Sequence, residues 1–270
     1  MQLKNNNPVP VFQPYKQIPG VFITAAVLAV ILLRWVEKYA PGEPANTIYG
    51  LILFFGIVLV YTLDHLFDLV KIEQKKAIIQ SHHFVNVFIC VVSSAAIGAL
   101  LAFNSSSLDF GHFWILLLPA FVYVFVALNV IPFIRGFKEL IIALTVSLSL
   151  VYPLVNAHPM LILKLALPAF VVCLMNLLLY GFFEKEKDSY FGFKTIYSSR
   201  DSYKAYKHLI NAFVILTIAL AIGWVFLANL IFPFAAAAAL YWIVLVFQKQ
   251  ISNPNIYRWL LDLVLVIIMI

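Results

Sequence analysis

Long apolar runs recur along the whole 270-residue chain and constrain its fold more than any other feature. Each run is about 15 to 25 residues long, which is the length that an α-helix needs to cross the hydrocarbon core of a bilayer. Hydrophobic residues make up 64% of the chain and charged residues only 11%, whereas charged residues make up about a quarter of a soluble domain. Because the bilayer interior offers no water to backbone groups, the sequence predicts an all-α, polytopic transmembrane helical bundle.

The apolar runs predict about nine helices in one membrane domain over residues 20–270, after a polar cytoplasmic tail over residues 1–19. The predicted spans are Gly20–Val36, Thr47–Leu69, Phe84–Phe103, Gly111–Ile134, Phe137–Val155, Pro159–Phe183, Leu209–Ala228, Leu230–Phe247 and Asn255–Ile270. The seventh and eighth spans form one apolar stretch that would be about 58 Å long as a straight helix, nearly twice the hydrocarbon thickness. We therefore expect the chain to fold back there, at Asn229.

The distribution of positive charge predicts how the helices are oriented. Of the 18 lysines and arginines, all except Arg34, Lys38 and Lys164 fall in the amino-terminal tail and in the connections on the same side of the membrane. Positively charged loops stay cytoplasmic, so the amino terminus is predicted inside and the carboxyl terminus outside. The net charge of +6 is scattered among short loops. This pattern argues against nucleic acid and favours membrane lipid or a phosphorylated substrate as partner.

Two acidic pairs mark the cytoplasmic ends of two predicted spans. Asp64 and Asp68 close the second span. Glu184 and Asp188 follow the sixth span, and each lies 120 positions after its counterpart in the first pair. A spacing of four residues places both carboxylates of a pair on one helix face. The recurrence of the pair predicts a two-half pseudo-repeat of membrane helices.

Paired carboxylates at a helix end suit a metal-bound diphosphate. Mg²⁺ usually binds one or two carboxylates together with substrate phosphates, so the four acids are candidate metal ligands and catalytic residues. Cations beside a diphosphate leaving group stabilise the charge that develops when it departs. Basic candidates for binding the diphosphate lie on the same side: Lys75, Arg135, Lys138 and Lys194. The alternative reading is that both pairs are solvated charges that mark the ends of helices.

Further polar residues continue these motifs into the spans. Asn176, Tyr180, Glu184 and Asp188 are each four residues apart and form a polar stripe along one helix face. Such a stripe is expected to face the interior of the bundle rather than lipid. There it either lines a cavity or, equally, joins helices, since Asn and Tyr hydrogen-bond between membrane helices. We assign Asn176 and Tyr180, with Tyr61 before the first pair, to substrate binding.

At these residues the chain resembles the UbiA superfamily of intramembrane prenyltransferases. The first motif of that family reads Asn-Asp-x-x-Asp-x-x-x-Asp, and residues 60–68 keep its last two acids. The ending of the second motif, Asp-x-x-x-Asp-x-x-x-Gly-x-x-Thr, is matched by residues 184–195 with Glu184 in place of the first Asp. Tyr180 and Gly181 stand where the family has its leading Asn-Asp, and the first motif lacks the same leading acid.

The resemblance implies nine helices and a Mg²⁺-dependent transfer of a prenyl group from a polyprenyl diphosphate to an apolar or aromatic, lipophilic acceptor. Two other readings stay open. Because both leading acids are missing, the chain is alternatively a catalytically silent relative that binds a lipid or a partner protein. The pseudo-repeat together with Lys164 inside a span suggests a small transporter, and this reading is the weakest, because the acids crowd one membrane face.

Overall fold

A computed structural model describes Arg34, Lys38 and residues 47–73, 80–103, 138–151, 159–191, 196–197, 201–248, 250–251 and 254–267. These residues form the helices α1 (Thr47–Glu73), α2 (Gln80–Phe103), α3 (Lys138–Val151), α4 (Pro159–Phe191), α5 (Ser202–Val246) and α6 (Pro254–Ile267). Arg34 and Lys38 are also helical, and the described part of the chain contains no strand. The prediction of an all-α fold is confirmed for these residues. The count of nine spans stays a prediction, because the fourth predicted span and most of the first lie outside the described ranges, as does the proposed boundary at residue 19.

Three helical segments are long and apolar enough to cross a membrane: Val85–Phe103, Lys164–Glu186 and Ser202–Gly223. Three shorter helical segments are equally apolar: Ile48–Val60, Glu139–Ser149 and Phe232–Val246. All six lie within predicted spans or overlap them. The apolar runs therefore mark helices correctly wherever the structure describes them.

Two helices extend beyond the apolar runs that predicted them. α4 continues from Phe183 to Phe191, and α5 begins at Ser202 instead of Leu209. The added turns are polar, so hydropathy alone cannot find them. At the start of α5, Asp201 accepts a 2.8 Å hydrogen bond from the backbone N–H of Lys204 and so caps the helix.

Helical backbone runs from Ser202 to Val246, yet residues near its middle lie beside residues near its carboxyl-terminal end. The indole Nε1 of Trp242 donates a 2.9 Å hydrogen bond to Thr217 Oγ1, and the same indole meets Phe213 edge-on at 5.4 Å between ring centroids. Residues 25 positions apart would be separated by about 38 Å in a straight helix. α5 is therefore a helical hairpin, and the midpoint between Thr217 and Trp242 falls between residues 229 and 230. The predicted reversal at Asn229 agrees with this position.

α4 lies at the centre of the described bundle and packs against α3, α5 and α6. Its fully buried side chains include Leu165, Met175 and Leu179, which belong to one apolar core with residues of α5 and α6. The α2 segment Val85–Phe103 and the first limb of α5 are far less buried. Their apolar surfaces are of the kind that a bilayer covers.

Contacts between helices show which helix ends lie together. Gly181, near the end of α4, lies against Glu139 at the start of α3. Lys185 contacts Ser202 at the start of α5, and Tyr257 at the start of α6 contacts Glu184. We call the region defined by Glu139, Glu184, Asp188, Ser202 and Tyr257 the acidic end of the bundle. It is the end that the charge distribution predicts to be cytoplasmic.

At the opposite end, the hydroxyl of Tyr49 near the start of α1 donates a 2.8 Å hydrogen bond to the carbonyl oxygen of Ser149 near the end of α3. This contact is consistent with an antiparallel arrangement of α1 and α3. In that arrangement the end of α1, with Asp64 and Asp68, points toward the acidic end.

Candidate functional site

The last turns of α4 carry two acids that are shielded from solvent. Asp188 is buried, with 7% of its surface exposed, and Glu184 is half-buried. They lie one helical turn apart, so both carboxylates belong to the same face of α4. Between them, Glu186 is exposed. The reading of this segment as a fully solvated charge run is therefore wrong for Asp188 and for its neighbour Lys185, which is also buried.

Aromatic rings surround the Glu184 carboxylate on the side of α6. The Tyr257 hydroxyl donates a 3.1 Å hydrogen bond to Glu184 Oε1. The Tyr257 ring stacks on Phe183 with 4.6 Å between centroids and an 8° interplanar angle, and Tyr180 meets it edge-on at 5.8 Å. Stacked and edge-on ring pairs are favourable geometries, so this aromatic group fixes the first turn of α6 against the end of α4.

Glu139 brings a third acid to the acidic end from another helix. It is buried, with 8% of its surface exposed. Its Oε1 lies 3.9 Å from the position that a Cβ atom would occupy on Gly181, and the Tyr197 ring lies 3.6 Å from the same position. Gly181 thus lets a carboxylate and an aromatic ring approach the backbone of α4 closely. A Cβ atom fits at these distances, but a longer side chain at this position would displace one of them.

A buried cation accompanies these acids. Lys185 Nζ donates a 2.9 Å hydrogen bond to Ser202 Oγ, which links the end of α4 to the start of α5. Next to it on the surface, Asp201 receives the hydrogen bond from the Lys204 backbone, and its Oδ2 lies 3.4 Å from Lys204 Nζ. The backbone hydrogen bond from Lys204 is the largest cause of the lowered pKa of Asp201, and the side-chain hydrogen bond from Lys204 and then the charges of Lys204 and Lys185 lower it further. Asp201 therefore stays ionised at neutral pH.

Asn176 lies two turns before Glu184 on the polar stripe and is buried, with 8% of its surface exposed. Its Oδ1 has no hydrogen-bond partner among the described residues. A buried amide oxygen prefers a hydrogen-bond donor. The predicted orientation of the stripe toward the protein interior is confirmed at Asn176 and Asp188.

The structure locates only part of the predicted site. Glu184, Asp188, Tyr180 and Asn176 lie on one helix, with Glu184 and Tyr180 both next to Tyr257. Asp64, Asp68 and Tyr61 belong to α1 and Lys138 begins α3, but the side chains of these four lie outside the described part of the structure. Lys75, Arg135 and Lys194 also lie outside it. The convergence of the two acidic pairs stays a prediction. Among the described residues, no group of three or more His, Cys, Asp and Glu side chains is close enough to hold a metal ion.

Sequence reasoning missed three residues of this end: Glu139, Tyr257 and the buried Lys185. Glu139 directly follows Lys138 at the start of a predicted span. An acid in the first turn of an apolar helix is a weak indication of a functional residue, and it could have pointed to Glu139. For Tyr257 and Lys185 the sequence offers no comparable signal, because their partners lie on other helices.

Comparison of the chain with protein-family models, with curated proteins and with solved structures finds no match in any of the three.

Proposed function

We propose that this chain is an integral membrane prenyltransferase, which moves a prenyl group from a polyprenyl diphosphate to an apolar or aromatic acceptor in a Mg²⁺-dependent reaction. The observation that carries the proposal is the pair Glu184 and Asp188, held on one face of α4 where polar residues meet the apolar core. Carboxylates removed from water are costly unless cations neutralise them. A site of this kind is suited to a charged diphosphate attached to an apolar tail.

The donor atoms of this pair fit Mg²⁺. Carboxylate oxygens are the hard ligands that the ion prefers, and it typically takes one or two of them and completes its shell with water and phosphate. Glu184 and Asp188 would hold the ion, together with Asp64 and Asp68 if the end of α1 approaches as proposed. When bound, the ion would neutralise negative charge on the departing diphosphate.

The protein's own residues have complementary tasks in this proposal. The basic residues Lys75, Arg135, Lys138 and Lys194 bind the diphosphate oxygens, and Tyr61, Tyr180 and Asn176 contact the substrates. The apolar helices accept the prenyl tail. Rings such as Phe183 and Tyr180 restrict water at the acidic end and so protect a reactive allylic group from hydrolysis.

Binding of labelled prenyl diphosphates to the purified protein tests the proposal. Wild type should bind one chain length in the presence of Mg²⁺ and lose it when a chelator is added. Glu184→Gln or Asp188→Asn should weaken binding by at least about tenfold, equivalent to about 1.4 kcal/mol. Glu186→Gln is the matched control, since this exposed acid lies on the same turn and should bind as wild type does. Failure of wild type to bind any chain length contradicts the proposal.

A second candidate is a catalytically silent relative that binds a lipid or a partner protein. It is favoured by the absence of the leading acid from both motifs, with Tyr180 and Gly181 standing in its place in the second. A lipid binder would keep its ligand in the presence of a chelator, and this separates the two functions. The transporter reading receives no support from Lys164, because this residue is exposed near the start of α4, where its side chain can extend to the interface.

A further inference from the structure

Glu184 and Tyr257 form a contact that joins the end of α4 to the start of the last described helix. Tyr257 is buried, with 3% of its surface exposed, and its hydroxyl donates to Glu184 Oε1 at 3.1 Å. Nothing in the spacing of the acidic motifs points to a residue so far along the chain. The two residues are 73 positions apart.

The Tyr257 ring has little freedom to move. Phe183 stacks on one face, and Tyr180 meets the ring edge-on. A glutamate side chain is different, because it has three rotatable bonds and loses considerable entropy when it is held in one orientation. The fixed phenol therefore restricts where Oε1 of the Glu184 carboxylate lies.

The hydrogen bond leaves the carboxylate able to bind a cation. An ionised carboxylate has about four acceptor positions on its two oxygens, and the phenol uses one of them. Groups that hydrogen-bond to a metal ligand in this way orient it and tune its affinity.

From this geometry we propose that Tyr257 is a positioning residue, which holds Glu184 in the orientation that binds a divalent cation. The inference rests on the proposed function. It adds a residue of α6 to a site that the sequence motifs confine to α1 and α4.

Tyr241 provides a matched control for removal of the hydroxyl. It is also buried, and its hydroxyl donates to the carbonyl oxygen of Leu261 at 3.4 Å, so it too joins α6 to a neighbouring helix. Its partner is a backbone carbonyl instead of a carboxylate. Tyr241→Phe therefore reports what the loss of a structural hydroxyl does to α6.

The experiment measures Mn²⁺ binding to the full chain in detergent by electron paramagnetic resonance, with thermal unfolding of each variant alongside. Tyr257→Phe should weaken Mn²⁺ binding about tenfold, and Tyr241→Phe should leave it unchanged. Excess Mn²⁺ should restore prenyl diphosphate binding to Tyr257→Phe, which keeps its ligand, but not to Glu184→Gln, which lacks the charge.

The outcomes separate this inference from the proposed function. If wild type binds Mn²⁺ and prenyl diphosphate but Tyr257→Phe binds Mn²⁺ equally well, Tyr257 has only a structural role. The inference is then overturned, and the proposed function stands. The same conclusion follows if Tyr257→Phe unfolds at a lower temperature with its Mn²⁺ affinity intact. If wild type binds neither Mn²⁺ nor prenyl diphosphate, the inference and the proposed function both fail.

Discussion

Gly181 shows how a single residue shapes the acidic end of the bundle. The residue has no side chain, and the space beside it is filled by the Tyr197 ring and the Glu139 carboxylate. Because both groups come from outside α4, the position is sensitive to side-chain size. The helix itself would accept almost any residue there.

Substitution of Gly181 should therefore have effects of opposite sign for a small and a large residue. A Cβ atom would meet Tyr197 at 3.6 Å, an ordinary contact distance, so Gly181→Ala should stabilise the protein by up to about 1 kcal/mol through helix propensity. Gly181→Leu should destabilise it by about 1–3 kcal/mol, because the longer side chain must displace Tyr197 or Glu139. Thermal unfolding in detergent measures both changes.

Gly98 on α2 is the control for this pair, because a Cβ atom there would meet nothing within 4 Å. Gly98→Ala and Gly98→Leu should both be tolerated. A loss of stability with Gly181→Ala, or none with Gly181→Leu, would show that the packing at Gly181 differs from the one described.

At the scale of elements, α5 shows that a continuous apolar stretch can form two helices. Pro233 lies within the helical run, where a proline normally costs a hydrogen bond. If the second limb begins at the reversal between residues 229 and 230, Pro233 falls in its first turn, where the missing N–H has no partner to lose. The proline is thus compatible with the hairpin and would be costly in a single long helix.

The hydrogen bond between Trp242 and Thr217 gives a test of the hairpin. Thr217→Val removes the hydroxyl at nearly constant volume and leaves the indole N–H of Trp242 without its acceptor. The expected loss of stability is about 0.5–1.5 kcal/mol, the usual net contribution of one hydrogen bond, because this bond is only partly buried. In a Trp242→Phe background the donor is already absent, so adding Thr217→Val should lower the stability little further. Additive losses in thermal unfolding would show that the two limbs do not meet at these residues.

At the scale of the whole molecule, the positions of the helix ends agree with the relative directions predicted for the spans of α3, α4, α5 and α6. The starts of α3, α5 and α6 and the end of α4 all lie at the acidic end. This is the alternation that an up-and-down membrane bundle requires. Which end faces the cytoplasm is a prediction from the positively charged loops.

Cysteine labelling from one side of the membrane tests that orientation. In a background with Cys90→Ala and Cys173→Ala, Ser189→Cys at the acidic end and Lys164→Cys near the other end of α4 both replace exposed residues. A membrane-impermeant maleimide should reach Lys164→Cys from outside and Ser189→Cys only after the membrane is opened. A reporter fused after Ile270 should also lie outside. Labelling of both cysteines from the same side would contradict the predicted topology.

The sequence by itself determined the properties that are local along the chain. Apolar runs marked the helices, the length of the stretch around Asn229 required a reversal, and four-residue spacing placed Glu184 and Asp188 on one face. Hydropathy and helical periodicity act over neighbouring residues, so a single sequence displays them directly. The turns at the end of α4 and the start of α5 escaped this reasoning, because their sequences are polar and hydropathy does not mark them.

Only the tertiary structure decided which side chains meet between helices. Tyr257 contacts Glu184, Glu139 reaches Gly181, and Lys185 is buried against Ser202 although it looks like part of a solvated charge run. Such pairs depend on how far each helix is rotated and at what height it crosses its neighbour. Rotation and height follow from the packing of the whole apolar core, and no spacing within one helix encodes them.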